Sequence, residues 1–405
     1  MNSSNSKAPA SLLLRNARLV LPERILESAD LLIETGRIAR IIEPDSRAQV
    51  EADLTLDLEE LTLFPGFIDV HIHGSVGVDT MEAEADDLHR VSVFLARNGV
   101  TAWLPTLVPA PEDDYRKAAH AVEQLMKEQA AHTTAAARAL GLHYEGPFIN
   151  SAQCGALRPA YFRTFESAAA VDALTIVDES GAVHMITIAP EIEGGIELVA
   201  ELKRRGWLVA IGHTRAEGPV LDCAFAAGAR HMTHFMNAMS PLHHRAPGPI
   251  GWGLLRDDVT CDCIADGIHV DPLVLRLLLR CKTPARLALI SDAVAPTGLG
   301  DGEYEIWGES IAVTDGRTRN ERGNIAGSVI TMRDAVRMML SLDVPLWEVA
   351  RMAATNPARL LGVSQECGSI EEGKRADLAA LDARGNVRLT LVGGRIAFDN
   401  LSQQG

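Results

Sequence analysis

Metal-capable side chains follow several short, β-rich apolar runs in this sequence. The runs are FIDVHIH (67–73), LHYEGPF (142–148), WLVAIGH (207–213), HMTH (231–234) and LALISD (287–292). The metal-capable residues in them are His71, His73, Glu145, His213, His234 and Asp292. Ligands far apart in sequence, each at the exit of a strand, converge only if the strands are parallel and surround a common centre. The pattern predicts an α/β protein with a TIM-like (β/α)₈ barrel, whose active site lies at the carboxyl ends of its strands.

The hydrophobic pattern supplies enough strands and helices for such a barrel. The eight predicted strands lie near Phe64–His71, Val100–Pro105, Gly141–Glu145, Val183–Ile188, Trp207–Ile211, His231–Thr233, Thr260–Ala265 and Leu287–Ser291. Predicted helices between and after them are Ala85–Arg97, Asp113–Gln129, Ile196–Arg205, Gly218–Ala227, Pro272–Arg280 and Met332–Leu342. This alternation is typical of right-handed β–α–β crossovers.

Both ends of the chain have a different pattern. The chain has 405 residues, more than the about 250 that one barrel needs. Apolar residues alternate in short bursts before residue 64 and again after Cys367, as in half-buried antiparallel strands. We therefore expect a small β-sandwich domain built from residues 1–63 and 367–405, and a catalytic barrel over residues 64–366.

Composition narrows the expected partners and compartment. Acidic residues outnumber basic ones by 54 to 38, giving a formal charge of −16, which argues against nucleic acid or an anionic membrane as partner. Six cysteines without a disulfide-like spacing indicate reduced thiols. The polar first residues lack a cleavable-signal pattern, and no apolar run approaches the roughly 20 residues of a membrane span. We expect a cytoplasmic protein.

Each metal-capable residue also has a simpler interpretation. His71 and His73 lie two apart on a strand, so both side chains share one face, as metal ligands or as an ordinary polar pair. Glu145 is either a ligand or a solvated loop carboxylate, and Asp292 is either part of the site or a helix N-cap. Asp69 precedes the histidine pair, and we expect it to make a structural hydrogen bond rather than to bind a metal. The conjunction of all six residues at strand ends favours a metal site.

Histidine and carboxylate ligands without cysteine suit a divalent ion such as Zn²⁺ or Fe(II) in an open catalytic site. Such an ion lowers the pKa of bound water toward about 7 and makes hydrolysis possible at neutral pH. Asp292 would then take up the proton and pass it to the leaving group as a general acid. The predicted reaction class is metal-assisted hydrolysis.

Several segments resemble a known family. FIDVHIHG, TNPARLLG and GSIEEGKRADLAALD look like the amidohydrolase superfamily. The segments that resemble the N-acetylglucosamine-6-phosphate deacetylase family within it are GLHYEGPFIN, AIGHTRA, THFMNAMSPLHHRAPG, DGIHV, SDAVAPTG and AGSVITM. The resemblance covers nearly the whole chain. It implies hydrolysis of the N-acetyl group of a 6-phosphorylated amino sugar, which releases acetate.

The resemblance also implies roles for individual residues. Glu145, His213 and His234 look like the principal metal ligands, and Asp292 looks like the catalytic acid/base. His269 is similar to a residue that contacts the substrate and polarises the amide carbonyl. Asn237 and Ala238 resemble residues that hold the phosphate, and Arg245 its cationic partner, which the family supplies across a dimer interface. A homodimer is therefore expected.

Two features leave the metal count and the sugar open. Some family members lack the histidine pair after the first strand and use one metal, so His71 and His73 leave one or two ions possible. Members often carry Gly-x-His after the third strand, where this chain has Gly155-Ala156-Leu157. Because Leu157 cannot bond to a hydroxyl, the galactosamine epimer or another N-acyl amino sugar, with or without phosphate, stays possible.

Two other functions compete with the deacetylase. The first is another amidohydrolase, such as a cyclic-amide hydrolase or an aminohydrolase acting on a base. Cyclic-amide hydrolases commonly use a carboxylated lysine as a metal bridge, where this chain offers Glu145. The second is a binding or scaffold protein, since a barrel alone does not establish catalysis. Such proteins tend to have lost ligands, whereas all six positions here hold competent side chains.

Overall fold

A barrel of eight parallel strands forms the centre of the molecule in the computed structural model, which describes residues 10–46, 50–131 and 135–402. The barrel strands are Phe67–Ile72, Val100–Leu107, Gly141–Glu145, Val183–Ile188, Leu208–Ile211, His231–Met232, Thr260–Ile264 and Leu287–Ile290. Strand pairing runs through them in chain order, and the short strand Arg138–Ala139 pairs beside the second. The predicted (β/α)₈ barrel is confirmed, with strand bounds shifted by a few residues.

The start of the first barrel strand differs from the prediction. Phe64 and Pro65 belong to the strand Thr62–Pro65 of the terminal sheet, where Phe64 pairs with Ala379. Gly66 separates the two strands, and a Cβ atom there would lie 2.2 Å from the Thr101 side chain. This close approach requires glycine, because any side chain would push the chain away from the second barrel strand.

Helices surround the barrel because each has one apolar side. In the helix Ala85–Arg97, Leu88, Val91 and Leu95 are buried at helical spacing, and Glu84 with Asp87 forms a capping box at its start. None of the described helices is long and apolar enough to cross a membrane. The α-helices are Ala85–Arg97, Glu112–Ala131, Ala169–Asp172, Gly195–Arg204, Gly218–Ala227, Gly248–Leu255, Pro272–Lys282, Met332–Ser341, Leu346–Ala350 and Asn356–Leu360, with a π-helical turn at Arg351–Thr355. Short 3₁₀ turns occur at Pro44–Ser46, Ser151–Gln153, Pro159–Tyr161 and Pro284–Arg286.

The first and last barrel strands meet through hydrogen bonds at their carboxyl ends. The Asp292 amide donates to the His71 carbonyl at 3.0 Å, and the His73 amide donates to the Ala293 carbonyl at 2.8 Å. The Asp69 carboxylate accepts from both the amide and the hydroxyl of Ser291. Burial raises the pKa of Asp69 to about 6, although the hydrogen bonds from Ser291 act to lower it. The predicted structural role of Asp69 is confirmed, because its side chain joins the two strands.

The two ends of the chain form one sheet. Its strands are Ser11–Val20, Ile25–Glu34, Arg37–Ile42, Leu54–Asp57, Thr62–Pro65, Leu378–Leu381, Val387–Val392 and Arg395–Asp399. The sheet curves back on itself. Ile38, in the edge strand Arg37–Ile42, donates a hydrogen bond from its amide to the carbonyl of Lys374, which precedes the strand Leu378–Leu381, at 2.9 Å. One apolar core contains Leu12 and Leu31 from one half and Leu378 and Leu389 from the other. The prediction of a small β-structure built from both termini is confirmed.

A three-stranded antiparallel sheet follows the eighth barrel strand, and the sequence analysis did not predict it. Its strands are Gly302–Ile306, Glu309–Thr314 and Arg317–Asn320. The turns contain Trp307-Gly308 and Asp315-Gly316, all four with positive φ between 51° and 73°. Asp-Gly is a strong hairpin signal, so the sequence did contain a clue to this element. A shorter hairpin pairs Gly74–Ser75 with Val78–Asp79.

Candidate metal centre and pocket

A buried group of one carboxylate and two imidazoles lies at the carboxyl end of the barrel. Glu145 ends the third strand, and its Oε1 atom lies 2.8 Å from His213 Nε2 and 2.9 Å from His234 Nε2. The two Nε2 atoms are 3.1 Å apart. All three side chains are almost completely buried. Three ligand atoms this close together match the spacing of a metal site.

A second group shares Glu145. His73 Nε2 lies 3.3 Å from Glu145 Oε2, and His71 Nε2 lies 3.2 Å from His73 Nε2. Asp292 Oδ1 is 3.2 Å from His71 and 3.3 Å from His73. The structure thus brings all six candidate ligands into one cluster, with Glu145 between its two halves. Metal binding by these residues stays a prediction.

The backbone is strained where it presents these side chains. His213, His234 and Asp292 adopt φ of 47°, 31° and 51°, in the left-handed region that non-glycine residues rarely occupy. Each lies two positions after the last residue of a barrel strand. Such conformations persist only where the surrounding structure imposes them, and they concentrate at functional sites.

The hydrogen bonds and pKa values of the cluster indicate whether a cation fits between its side chains. His213 Nδ1 lies 2.7 Å from the Gln153 carbonyl and donates to it. If Nε2 carries no proton, its lone pair faces the Glu145 carboxylate, and the two repel unless a cation or proton lies between them. Burial lowers the pKa of His73 and of His234, but Glu145 and Asp292 outweigh it and raise these pKa values to about 10 and about 9. The cluster attracts positive charge, so a divalent cation fits its donors.

A polar network that the sequence analysis missed supports the cluster. His143 bonds to the Val70 carbonyl at 2.9 Å and to Thr187 Oγ1 at 2.8 Å, and its ring contacts that of His71. Asp262 accepts from the His234 amide and lies 2.8 Å from His231 Nε2. His143 lies two residues before Glu145 on the same strand, so both share one face. That spacing was the signal that could have identified it.

A pocket of about 380 Å³ opens above the cluster. The predicted site residues that line it are His73, Glu145, His213, His234, Asn237, Ala238, His269 and Asp292, while His71 lies fully buried beneath. No described residue accepts a hydrogen bond from the buried Nδ2 group of Asn237. Arg245 does not join them, because it lies exposed in a separate turn with Nη1 2.9 Å from His244 Nε2.

His269 is oriented by a neighbouring carboxylate. Its Nδ1 atom lies 2.6 Å from Asp266 Oδ2, and both side chains are mostly buried. Burial acts to raise the pKa of Asp266, but the bond from His269 outweighs it and lowers this pKa. With Nδ1 engaged, Nε2 is the ring nitrogen left for a ligand in the pocket.

An apolar wall lies opposite these polar groups. Leu157 is 3% exposed and packs with Val108 and Ile149. Trp307 lies in the turn between the first two strands of the three-stranded antiparallel sheet, which we call the inserted hairpin. Its ring is 5.3 Å from that of His73, and it packs against the apolar group of Leu157, Val108 and Ile149. Trp307 could not be predicted as part of the site, because nothing in the local sequence pattern indicates that these strands fold back over the barrel.

Known proteins resemble this chain over nearly its whole length. A model of the amidohydrolase family matches residues 62–397. N-acetylglucosamine-6-phosphate deacetylase from Bacillus subtilis (strain 168) is 33% identical, with 96% of this chain and 97% of that protein covered. N-acetylgalactosamine-6-phosphate deacetylase from Escherichia coli O157:H7 is 36% identical, with 95% and 98% covered.

A solved structure is similar in fold as well as in sequence. It is a variant of the N-acetyl-D-glucosamine-6-phosphate deacetylase from Mycobacterium smegmatis in complex with N-acetyl-D-glucosamine-6-phosphate. The two chains are 31% identical and superpose with a TM-score of 0.84, covering 96% of this chain and all of the other.

Proposed function

The chain belongs to the amidohydrolase family, and we propose that it hydrolyses the N-acetyl group of N-acetylglucosamine-6-phosphate to glucosamine-6-phosphate and acetate. The observation that carries the proposal is the pocket itself. The buried Glu145–His213–His234 group lies at its base, and the pocket is of the size that small-molecule sites have. The relatives at 33% to 36% identity carry deacetylase names that agree with this chemistry.

Glu145, His213 and His234 would hold the principal divalent ion, Zn²⁺ or Fe(II). His71 and His73, with Glu145 and Asp292 shared, would hold a second if two are present. A bound ion of this kind polarises an amide carbonyl and makes water a nucleophile at neutral pH. The protein supplies the rigid, buried donor set and the hydrogen bond from His213 to Gln153 that orients one ligand.

Asp292 is proposed as the acid/base. Burial acts to raise its pKa, but hydrogen bonds from His71 and His73 hold that pKa below its ordinary value. The carboxylate is therefore ionised at neutral pH and can accept the proton of the attacking water. It can then donate that proton to the departing amine, which completes the cleavage of the amide bond.

His269 is proposed to bind the substrate carbonyl oxygen. Asp266 holds the ring through Nδ1, so that Nε2, when it carries a proton, can donate a hydrogen bond to that oxygen. Negative charge develops on the carbonyl oxygen as water attacks, so a donor placed there stabilises the transition state. Asn237 and Ala238, which also line the pocket, would take the phosphate through the amide side chain and the backbone.

The galactosamine epimer is a second candidate substrate. The Escherichia coli O157:H7 relative, at 36% identity, is named for it. Leu157 makes part of the pocket wall apolar where the resemblance leads one to expect a histidine. An apolar wall cannot select between epimers through a hydrogen bond to a sugar hydroxyl, so selectivity must come from the remaining contacts.

Acetate release from four sugars tests the proposal. The metal-reconstituted protein is assayed with N-acetylglucosamine-6-phosphate, N-acetylgalactosamine-6-phosphate and both unphosphorylated sugars, with chelator-treated protein as control. We expect the glucosamine phosphate to give the highest kcat/KM and chelation to abolish turnover. Preference for the galactosamine epimer would establish the second candidate. Turnover of unphosphorylated sugars alone, or of none, would contradict both.

A further inference from the structure

A second cavity, of about 450 Å³, lies between the terminal sheet and the amino end of the barrel. Four arginines from four separate segments line it: Arg37, Arg138, Arg375 and Arg395. No acidic side chain is among its lining residues in the described ranges 10–46, 50–131 and 135–402. A cluster of cations around one cavity is unexpected in a chain with a formal charge of −16.

One carboxylate behind the cavity holds two of the guanidinium groups. Asp377, with a side chain only 2% exposed, lies 3.1 Å from Arg138 Nη2 and 3.3 Å from Arg375 Nε. Its other oxygen accepts from the Gly393 amide at 2.6 Å. Within the described part of the chain, no residue accepts a hydrogen bond from the buried Arg138 Nε. A single negative charge therefore faces two positive ones, and an excess of positive charge remains on the cavity side.

Close packing of two glycine turns brings the other two arginines to the same place. Gly36 and Gly393 both have positive φ, and a Cβ on Gly36 would lie 2.6 Å from the Gly393 carbonyl oxygen. Arg37 follows the first turn and Arg395 follows the second. Arg37 pairs with Glu366 at 2.9 Å, but both side chains are about half exposed, so solvent weakens this pair.

The chemistry of the cavity matches phosphate. Guanidinium groups present planar forks of donors that bind phosphate oxygens in pairs. The volume is in the range of small-molecule sites. Arg138 precedes the third barrel strand, whereas Glu145 ends it. On the second barrel strand, the partners of Arg138 and Tyr144 are Ala102 and Leu107, five residues or about 17 Å apart at ~3.3 Å each. This cavity is therefore well separated from the candidate metal site.

We propose that the arginine-lined cavity binds a phosphate-bearing small molecule, at a site distinct from the catalytic pocket. The inference does not depend on the proposed function, because it rests on charge and geometry at the opposite end of the barrel. Acetate release tests the proposed function, whereas the number of phosphate sites per chain tests this inference.

Calorimetric titration of the full-length, metal-loaded protein with inorganic phosphate provides the test. The test variant is Arg37→Gln/Arg395→Gln, which leaves Asp377 and its two arginines in place. The matched control is Arg116→Gln/Arg204→Gln, which removes two exposed arginines from helices elsewhere. A second variant, Arg37→Gln alone, makes a smaller change. All titrations are repeated in the presence of chloride, added at the same ionic strength as the phosphate.

We expect wild type and control to bind one phosphate more per chain than the double variant, or to bind it at least tenfold more tightly at that site. The single variant should fall between them, and acetate release should be unchanged in all. Equal phosphate binding by wild type and both arginine variants would overturn the proposal. The proposal would also be overturned if chloride at the ionic strength of the phosphate abolished phosphate binding at this site, because the arginines would then attract any anion.

Discussion

At the scale of single residues, one oxygen atom holds the site together. Glu145 Oε1 lies within 3 Å of two imidazole nitrogens, while Oε2 faces His73. His213 and His234 reach it from left-handed backbone positions at the ends of other strands. Such strain persists only because several interactions hold each residue, among them the bond from His213 to Gln153.

Replacing Glu145 should remove the metal. In Glu145→Gln the carboxylate that the two groups share becomes a neutral amide, and the histidines lose the negative charge that would balance a bound cation. We expect metal content to fall by at least about tenfold, the size of effect known even for outer-shell changes. Elemental analysis after dialysis measures it, with the exposed Glu193→Gln as control. Full metal content in Glu145→Gln would exclude Glu145 as a ligand.

Replacing Asp292 should affect turnover more than metal content. Asp292→Asn retains the shape of the side chain but cannot accept the proton from water, so kcat should fall by about 10²- to 10⁴-fold. The principal ion should remain, because Glu145, His213 and His234 are intact. Steady-state kinetics and elemental analysis of one preparation separate the effects, with Asp86→Asn as control. Turnover close to wild type would refute the acid/base role.

At the scale of elements, the inserted hairpin completes the pocket. It follows the last barrel strand and carries Trp307 at its tip, against His73. Asn324, in the segment after its third strand, donates from Nδ2 to the Gly155 carbonyl at 2.8 Å. Arg322 Nη2 donates to the Ala156 carbonyl at 2.7 Å. These bonds tie the insertion to the loop that follows the third barrel strand.

Truncating Trp307 should weaken substrate binding. Trp307→Ala removes a large part of the pocket wall but no group proposed to move a proton. We expect kcat/KM to fall about tenfold, equivalent to ~1.4 kcal/mol, mainly through KM. The control is Trp347→Ala, a partly buried tryptophan on a helix away from the pocket. Unchanged kcat/KM for Trp307→Ala would show that the substrate does not touch this wall.

At the scale of the whole molecule, Asp377 connects the terminal sheet to the barrel. It precedes the strand Leu378–Leu381, while Arg138 precedes the third barrel strand. The Gly66 amide donates to the Asp377 carbonyl at 2.8 Å, where the chain passes from sheet to barrel. The division into a barrel over residues 64–366 and a domain from residues 1–63 and 367–405 stays a proposal.

Removing this charge should destabilise the fold. Asp377→Asn leaves two partly buried guanidinium groups without a counterion, so we expect a loss of about 2–4 kcal/mol in the free energy of unfolding. The matched control is Glu366→Gln, which breaks an exposed pair and should cost about 0–1 kcal/mol. Urea denaturation measures both. Similar losses in the two variants would contradict a connecting role for Asp377.

Arg245 should matter only in an assembly, because it lies outside the pocket of its own chain. If a second copy supplies it to the phosphate, Arg245→Gln should raise KM for the phosphorylated sugar about tenfold or more and leave kcat nearly unchanged. In that case, analytical sedimentation of the wild-type protein should show a dimer. The neighbouring Arg215→Gln serves as control. An unchanged KM would remove Arg245 from the phosphate site.

The barrel, its strands and the six side chains that gather at its carboxyl end could all be predicted from the sequence. Apolar periodicity depends on neighbours along the chain, and parallel strands leave little choice about where their ends meet. Only the tertiary structure decided that Glu145 lies between two groups of histidines, that Trp307 closes the pocket and that four arginines share a cavity. Those arrangements depend on contacts between separate segments of the chain, such as Glu145 with His213, 68 positions away, and with His234, 89 positions away. Packing rather than local pattern decides which segments meet.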